Sequence, residues 1–71
     1  MKDFEEFKNK FIKVQEDFQP LFVSIILASG GYIFANGFAQ SYGSDNNMVL
    51  LLHDRFIIAE IPISSIIDIK P

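Results

Sequence analysis

Between residues 3 and 18 the chain places apolar side chains at Phe4, Phe7, Phe11, Val14 and Phe18. Steps of three and four residues put all five on one stripe of an α-helix. Asp3 is the expected N-cap, Glu6 completes a capping box three residues later, and Pro20 stops the helix. Sixteen helical residues span roughly 24 Å. Glu6 with Lys10, and Lys13 with Asp17, stand four apart and are expected to pair, so Lys8, Lys10 and Lys13 read as a solvated face before they read as an RNA patch. The Phe stripe fits a lid over the chain's own sheet better than a coiled-coil seam, because two and a half heptads are short for a coil.

The next stretch, from Phe18 to Ser44, carries no charge. Its length alone would suit a membrane helix, which needs about 20 apolar residues. Its interior argues for strands instead. Gly30-Gly31 and Asn36-Gly37 are turn or bend signals, and Val23, Ile25, Ile26, Tyr32, Ile33 and Phe34 are β-branched or aromatic. The pattern predicts a first strand from Leu21 to Ala28, a turn at Ser29 to Gly31, and a second strand from Tyr32 to about Tyr42. Three more short apolar runs follow at Met48 to His53, Phe56 to Ile61 and Ile66 to Ile69. The polar loop Gly43-Ser44-Asp45-Asn46-Asn47, the tight turn His53-Asp54-Arg55, and Pro62 with Ile63-Ser64-Ser65 separate them. One helix followed by five short antiparallel strands, with Gly37 at a sharp bend of the second, predicts a mainly β fold closed into a small, strongly bent barrel. Residues 1–71 are expected to form a single domain, with the helix at 3–18 and the strands within 21–70.

Apolar character exceeds what such a fold can enclose. Met48 to Leu52 and Phe56 to Ala59 are apolar on both faces, and Ile66-Ile67-Asp68-Ile69 forms an apolar edge. Half of the residues are hydrophobic and eight are Phe, while a chain this short buries only about 60% of its unfolded surface. Pairing of unlike edges between copies answers both problems, and a head-to-tail contact of that kind closes into a ring when the rotation permits. The expected interface residues are Phe56, Ile57, Ile58, Ala59, Ile66, Ile67 and Ile69.

Charge and composition narrow the function classes. With no cysteine and one histidine, disulfides, a thiol nucleophile and an intrachain zinc site are out of reach. A net charge of −3 opposes a strongly electrostatic grip on nucleic acid. The acidic, helical opening is no signal peptide, and the expectation is a cytoplasmic protein without a membrane span.

The order of helix and bent strands resembles the Sm-like family, and especially its bacterial Hfq branch. Val23-Ser24-Ile25-Ile26-Leu27-Ala28-Ser29-Gly30 looks like the first strand of that branch. Gly37 stands where the family has its second-strand glycine, with an interval longer by two residues. Gln40-Ser41-Tyr42 resembles the Glu-Ser-Phe that leads into the base-binding loop, Asn47 falls where the broader Sm motif has a base-contacting asparagine, and Ile63-Ser64-Ser65-Ile66-Ile67 looks like the Ile-Ser-Thr-Val-Val run of the last strand. The resemblance implies an Sm-like (SH3-like) barrel, assembly into a closed ring of about five to eight copies, pairing of the fourth strand of one copy with the fifth of the next, and non-catalytic binding of single-stranded RNA. Tyr42, Asn46, Asn47 and Ser64 are then the candidate RNA-binding residues. Four positions depart from the branch: Glu60-Ile61 stands in place of a Lys-His pair, Gly43 in place of the loop aspartate, and Ile26 in place of a tyrosine. A structural or protein-binding ring without RNA affinity is the alternative.

Read by their chemistry alone, Tyr42 and the loop amides offer a stacking face beside groups that read a base edge, or simply a hairpin loop. His53-Asp54 has the residue types of a base and its orienter but no nucleophile placed by motif, so it reads as a polar turn. Tyr32, Phe34, Phe38 and Tyr42 share one parity along the second strand, and packing beneath the helix is their expected use. Asp68 and Lys70 read as solvating the last strand. No enzyme, cofactor or metal is expected.

Overall fold

The N-terminal helix α1 runs from Phe4 to Phe18 in the structure, a computed structural model that describes residues 1–41, 43 and 47–71. Asp3 caps it as the sequence predicts: its carboxylate accepts the Glu6 N–H at 2.9 Å. The reciprocal arm differs, since Glu6 Oε1 accepts from the Lys2 N–H at 3.0 Å instead of from the cap residue itself. Gln19 takes a left-handed conformation at the C-cap and donates to the Gln15 carbonyl at 2.9 Å, and Pro20 follows. Four of the five stripe positions face the fold. Phe7, Phe11 and Val14 are buried and Phe4 packs against them, but Phe18 at the last turn is 63% exposed because the chain leaves the helix there.

Six strands follow: β1 Val23–Leu27, β2 Tyr32–Ala35, β3 Gly37–Gln40, β4 Met48–His53, β5 Phe56–Pro62 and β6 Ile66–Lys70. They form two three-stranded antiparallel sheets, ordered β2-β1-β6 and β3-β4-β5. This corrects the expectation of five strands in one closed barrel. The extra strand arises because the long second run changes partners at Asn36. Ala35 pairs with Val23 of β1, the Asn36 N–H donates to the Leu52 carbonyl at 2.9 Å, and Gly37 pairs with Leu52 of β4. The bend falls at Asn36-Gly37, where a Cβ at Gly37 would meet the Cβ of Leu52 at 3.4 Å, an ordinary van der Waals contact, so the crossing is close without requiring glycine.

The change of sheet also corrects the single-parity reading of the aromatics. Tyr32 and Phe34 are exposed and pair with each other, ring centroids 5.1 Å apart. Phe38, beyond the bend, turns inward against Phe4, Phe7 and Phe11 at 5.8, 5.5 and 4.8 Å. The core lies between α1 and the two sheets, where Phe7, Phe11, Val23, Ile25, Val49, Leu51, Ile63, Ile66 and Ile69 are all but fully buried. Burying each such side chain contributes about 1.5–3 kcal/mol. Residues 23–40 lie in strands and turns, and among the described residues no helix is long and apolar enough to cross a membrane.

Candidate functional site

Two sheet edges and one loop hold the residues singled out above. β5 pairs only with β4, and β6 only with β1, so each presents one unpaired edge. Both strands carry a bulge. Leu51 opposes Ala59 while Leu52 opposes Ile57, which leaves Ile58 as the extra residue on β5. Ile26 opposes Asp68 while Leu27 opposes Ile66, which leaves Ile67 as the extra residue on β6. Bulges bend a strand and concentrate at sheet edges. Here each one turns an isoleucine toward solvent.

The expected interface residues divide by burial. Phe56, Ile57, Ile58 and Ile67 are exposed at 75%, 62%, 47% and 62%, whereas the side chains of Ile66 and Ile69 are buried in the protomer's own core and Ala59 is half-buried. Ile66 and Ile69 therefore reach the β6 edge with backbone alone. The backbone directions there follow from the pairing. The Leu27 N–H donates to the Gly31 carbonyl, so alternate residues of β1 turn their polar groups to β2 and the others to β6. Ile25 and Leu27 belong to the first set. Across from them, the Ile69 N–H and the Ile66 carbonyl face outward. The structure gives both a partner: Asp68 Oδ1 accepts the Ile69 N–H at 2.8 Å, and the backbone nitrogen of Met1 donates to the Ile66 carbonyl.

At the loop, Tyr42 and Asn46 lie outside the described residues. Asn47 is exposed, and its carbonyl accepts the Ile63 N–H at 2.7 Å. Ile63 opens the 3₁₀ turn Ile63–Ser65 between β5 and β6, on which Ser64 is exposed and the Ser65 hydroxyl donates to the Pro62 carbonyl at 2.6 Å. One backbone bond thus ties together the two segments that were selected from distant parts of the sequence. Glu60 of β5 accepts a hydrogen bond from the Ser41 hydroxyl where β3 gives way to the loop. A carboxylate is anchored there, at one root of the loop.

The helix lysines are each matched with an acid. Lys8 lies 3.7 Å from Glu5, Lys10 lies 3.9 Å from Asp68, and Lys13 lies 2.9 Å from Asp17. The hydrogen bond and charge of Asp17 push the Lys13 ammonium above its usual value. Lys13 with Asp17 is the pair the sequence predicts; Lys10 pairs with β6 instead of Glu6.

A different cluster braces the β4–β5 turn. Asn36 Nδ2 donates to Asp54 Oδ1 at 2.8 Å, and the Asp54 N–H donates back to Asn36 Oδ1 at 2.9 Å. His53 stacks on Phe22, centroids 4.5 Å apart, and its Nδ1 lies 3.5 Å from Asp54 Oδ2. The left-handed backbone of Asp54 (φ 50°) allows these neighbours to meet, where an extended strand would send them apart. Among the described residues no group of acids and histidine is arranged to hold a metal ion. Comparison of the chain with protein families, with curated proteins and with solved structures finds no match.

Asp68, read from the sequence as solvating the last strand, instead holds the Ile69 N–H and lies 3.9 Å from Lys10. A lone acid in an apolar edge strand was a usable signal, because charges placed there commonly limit pairing with other chains.

Proposed function

We propose that the chain is an Sm-like subunit that works as a closed homo-oligomeric ring of about five to eight copies, binding single-stranded RNA without catalysis. The observation that carries this reading is two unlike edge strands, β5 and β6, each with a neighbouring strand on one side only, each bulged and each bearing exposed isoleucine. Unlike edges pair head to tail, and such contacts generate rings when they close. The strand run that passes from one sheet to the other at Asn36 supports the strongly bent β fold of such a subunit. The Asn47–Ile63 bond supports the RNA site, because it sets the loop asparagine beside the Ser64 turn once per subunit.

Glu60 favours a second reading, a structural ring without RNA affinity. Its anchored carboxylate stands close to the loop, in a chain of net charge −3, and repels phosphate.

Native mass spectrometry and RNA titration test both. The wild type is expected to give one discrete oligomer. Ile58→Lys, at an exposed bulge position, is expected to leave the protomer folded and monomeric, since an edge lysine blocks strand addition. Short U-rich and A-rich RNAs are expected to bind the wild-type ring, and Tyr42→Ala to weaken binding by about 1–3 kcal/mol per stacked base, with Asn47→Ala weakening it as well. An intact ring that binds neither RNA at low salt leaves the structural reading. A wild type that stays monomeric at micromolar concentration overturns ring assembly altogether.

A further inference from the structure

The two edges that the ring reading joins are not equally available. On β5 the exposed side chains stand beside an open strand edge. On β6 the outward Ile69 N–H, a donor that an incoming strand would need, is already taken by the carboxylate of Asp68 at 2.8 Å. The same oxygen of Asp68 lies 3.9 Å from Lys10 Nζ, and Lys10 projects from α1. The outward Ile66 carbonyl is taken too, by the backbone nitrogen of Met1, two residues before the Asp3 cap. Both contacts lead back to the helix segment. Between them stands the bulge residue Ile67, exposed and ready for an apolar contact. The β6 edge is therefore apolar in its side chain and blocked in its backbone.

From this geometry we propose that Asp68, steered by Lys10, is an intramolecular gate on assembly: its carboxylate occupies the β6 backbone donor that β5 of the next copy must reach. The proposal rests on the ring reading and adds a control to it. Pairing requires Asp68 to swing off the Ile69 N–H, so each protomer trades an internal hydrogen bond for one to its neighbour. The trade lowers the net gain of edge pairing without removing the apolar contribution of Ile57, Ile58 and Ile67. A contact that shifts α1, or one that draws Lys10 away, loosens the hold on Asp68 and favours the ring. Edge strands elsewhere are guarded by charges in the same manner. The difference here is that the guard is tethered to a helix, which makes it releasable.

The test compares wild type, Asp68→Ala and Lys10→Gln over a concentration series by native mass spectrometry and sedimentation, with folding checked by circular dichroism. Asp68→Ala is expected to assemble at a concentration about three- to tenfold lower than wild type, the factor that one hydrogen bond of about 1 kcal/mol commands. Amide exchange at Ile69, read in the dilute monomer, is expected to quicken in the same variant. Lys10→Gln, at an exposed helix position, is expected to keep the fold and to move assembly in the same direction by a smaller factor. Equal assembly of all three proteins overturns the gate and leaves the ring standing. A folded Asp68→Ala that stays monomeric while the wild type assembles overturns the gate alone, and monomers of both proteins at every concentration overturn the gate and the ring together. Assembly of Asp68→Ala into a polydisperse mixture overturns the gate as well, and makes Asp68 a guard against indiscriminate edge pairing.

Discussion

Strands β1 and β5 read almost alike in sequence and end in opposite surroundings. Val23-Ser24-Ile25-Ile26-Leu27 and Phe56-Ile57-Ile58-Ala59-Glu60 each hold four apolar residues in five. β1 lies between β2 and β6, and its Val23 and Ile25 are buried under α1. β5 has a neighbour on one side only and leaves Phe56, Ile57 and Ile58 exposed in a row. Apolar, β-branched residues make both segments strands. Place in the topology then decides which of them is covered by its own chain. Monomeric proteins seldom leave a contiguous apolar surface open, so the exposed run on β5 is the stronger sign of a partner, although β1 is the more deeply buried strand.

The largest expected effect separates the two regions by stability. Phe11 is fully buried and touches Phe7 and Phe38 with centroids at 5.7 and 4.8 Å. Phe11→Ala is expected to cost about 3–5 kcal/mol, enough to unfold a domain this small. Phe56→Ala, on the exposed edge, is expected to move protomer stability by no more than about 0.5 kcal/mol and to weaken association instead. Urea denaturation of the dilute protomers, beside oligomer content at high concentration, checks both. If Phe56→Ala destabilises the monomer as Phe11→Ala does, the distinction between β1 and β5 collapses.

That distinction was partly legible in the sequence. The helix stripe identified Phe7, Phe11 and Val14 because a period of 3.6 residues leaves only one way to align them, and it failed at Phe18 because the last turn has no neighbour to cover it. Strands β4 and β5 were legible in extent because polar residues or turns bound them on both sides, and β6 was legible at its start because Ser64-Ser65 precede it. The division into two sheets was not. It depends on Asn36 leaving β1 for β4, a pairing between segments sixteen residues apart that no local pattern encodes. The surplus of apolar residues announced a free edge, and alternation could not say that Ile66 and Ile69 would turn inward while Ile67 bulged out. At the loop, Asn47 was selected by resemblance and by its amide chemistry and Ser64 by resemblance, and the bond that joins their segments is a tertiary fact.

Asn36 gives a second, smaller way to sharpen the comparison. The same residue that hands the strand from one sheet to the other also holds the β4–β5 turn through two side-chain hydrogen bonds with Asp54. Both bonds are exposed to solvent, so their net worth is modest. Asn36→Ala is expected to lower protomer stability by about 1 kcal/mol, read as a shift in the denaturation midpoint. Because β5 begins just after this turn, the variant is also expected to reduce oligomer content beyond what its lost stability accounts for. Oligomer content that falls only in proportion to the lost stability would mean that β5 is positioned without the turn.

The smallest expected effect comes from the turns themselves. The β1–β2 hairpin places Gly30 at φ 97°, where glycine is unstrained, whereas the β4–β5 hairpin places Asp54 and Arg55 at φ 50° and φ 74° without a glycine. Left-handed backbone at an ordinary residue costs about 1 kcal/mol. Asp54 offsets that through its bonds to Asn36, and Asn and Asp tolerate the conformation best. Arg55 is exposed, and no hydrogen bond or ion pair of its side chain is found among the described residues. Arg55→Gly is therefore expected to relieve strain in the folded state, offset in part by the greater freedom glycine gives the unfolded chain. The net outcome is a gain of about 0.5 kcal/mol, with oligomer content unchanged because β5 keeps its edge. A loss of stability would mean that the arginine holds the turn through its side chain. A change in assembly at constant stability would place the turn inside the contact between copies, and the apolar run from Phe56 to Ile58 would then be only the inner part of that surface.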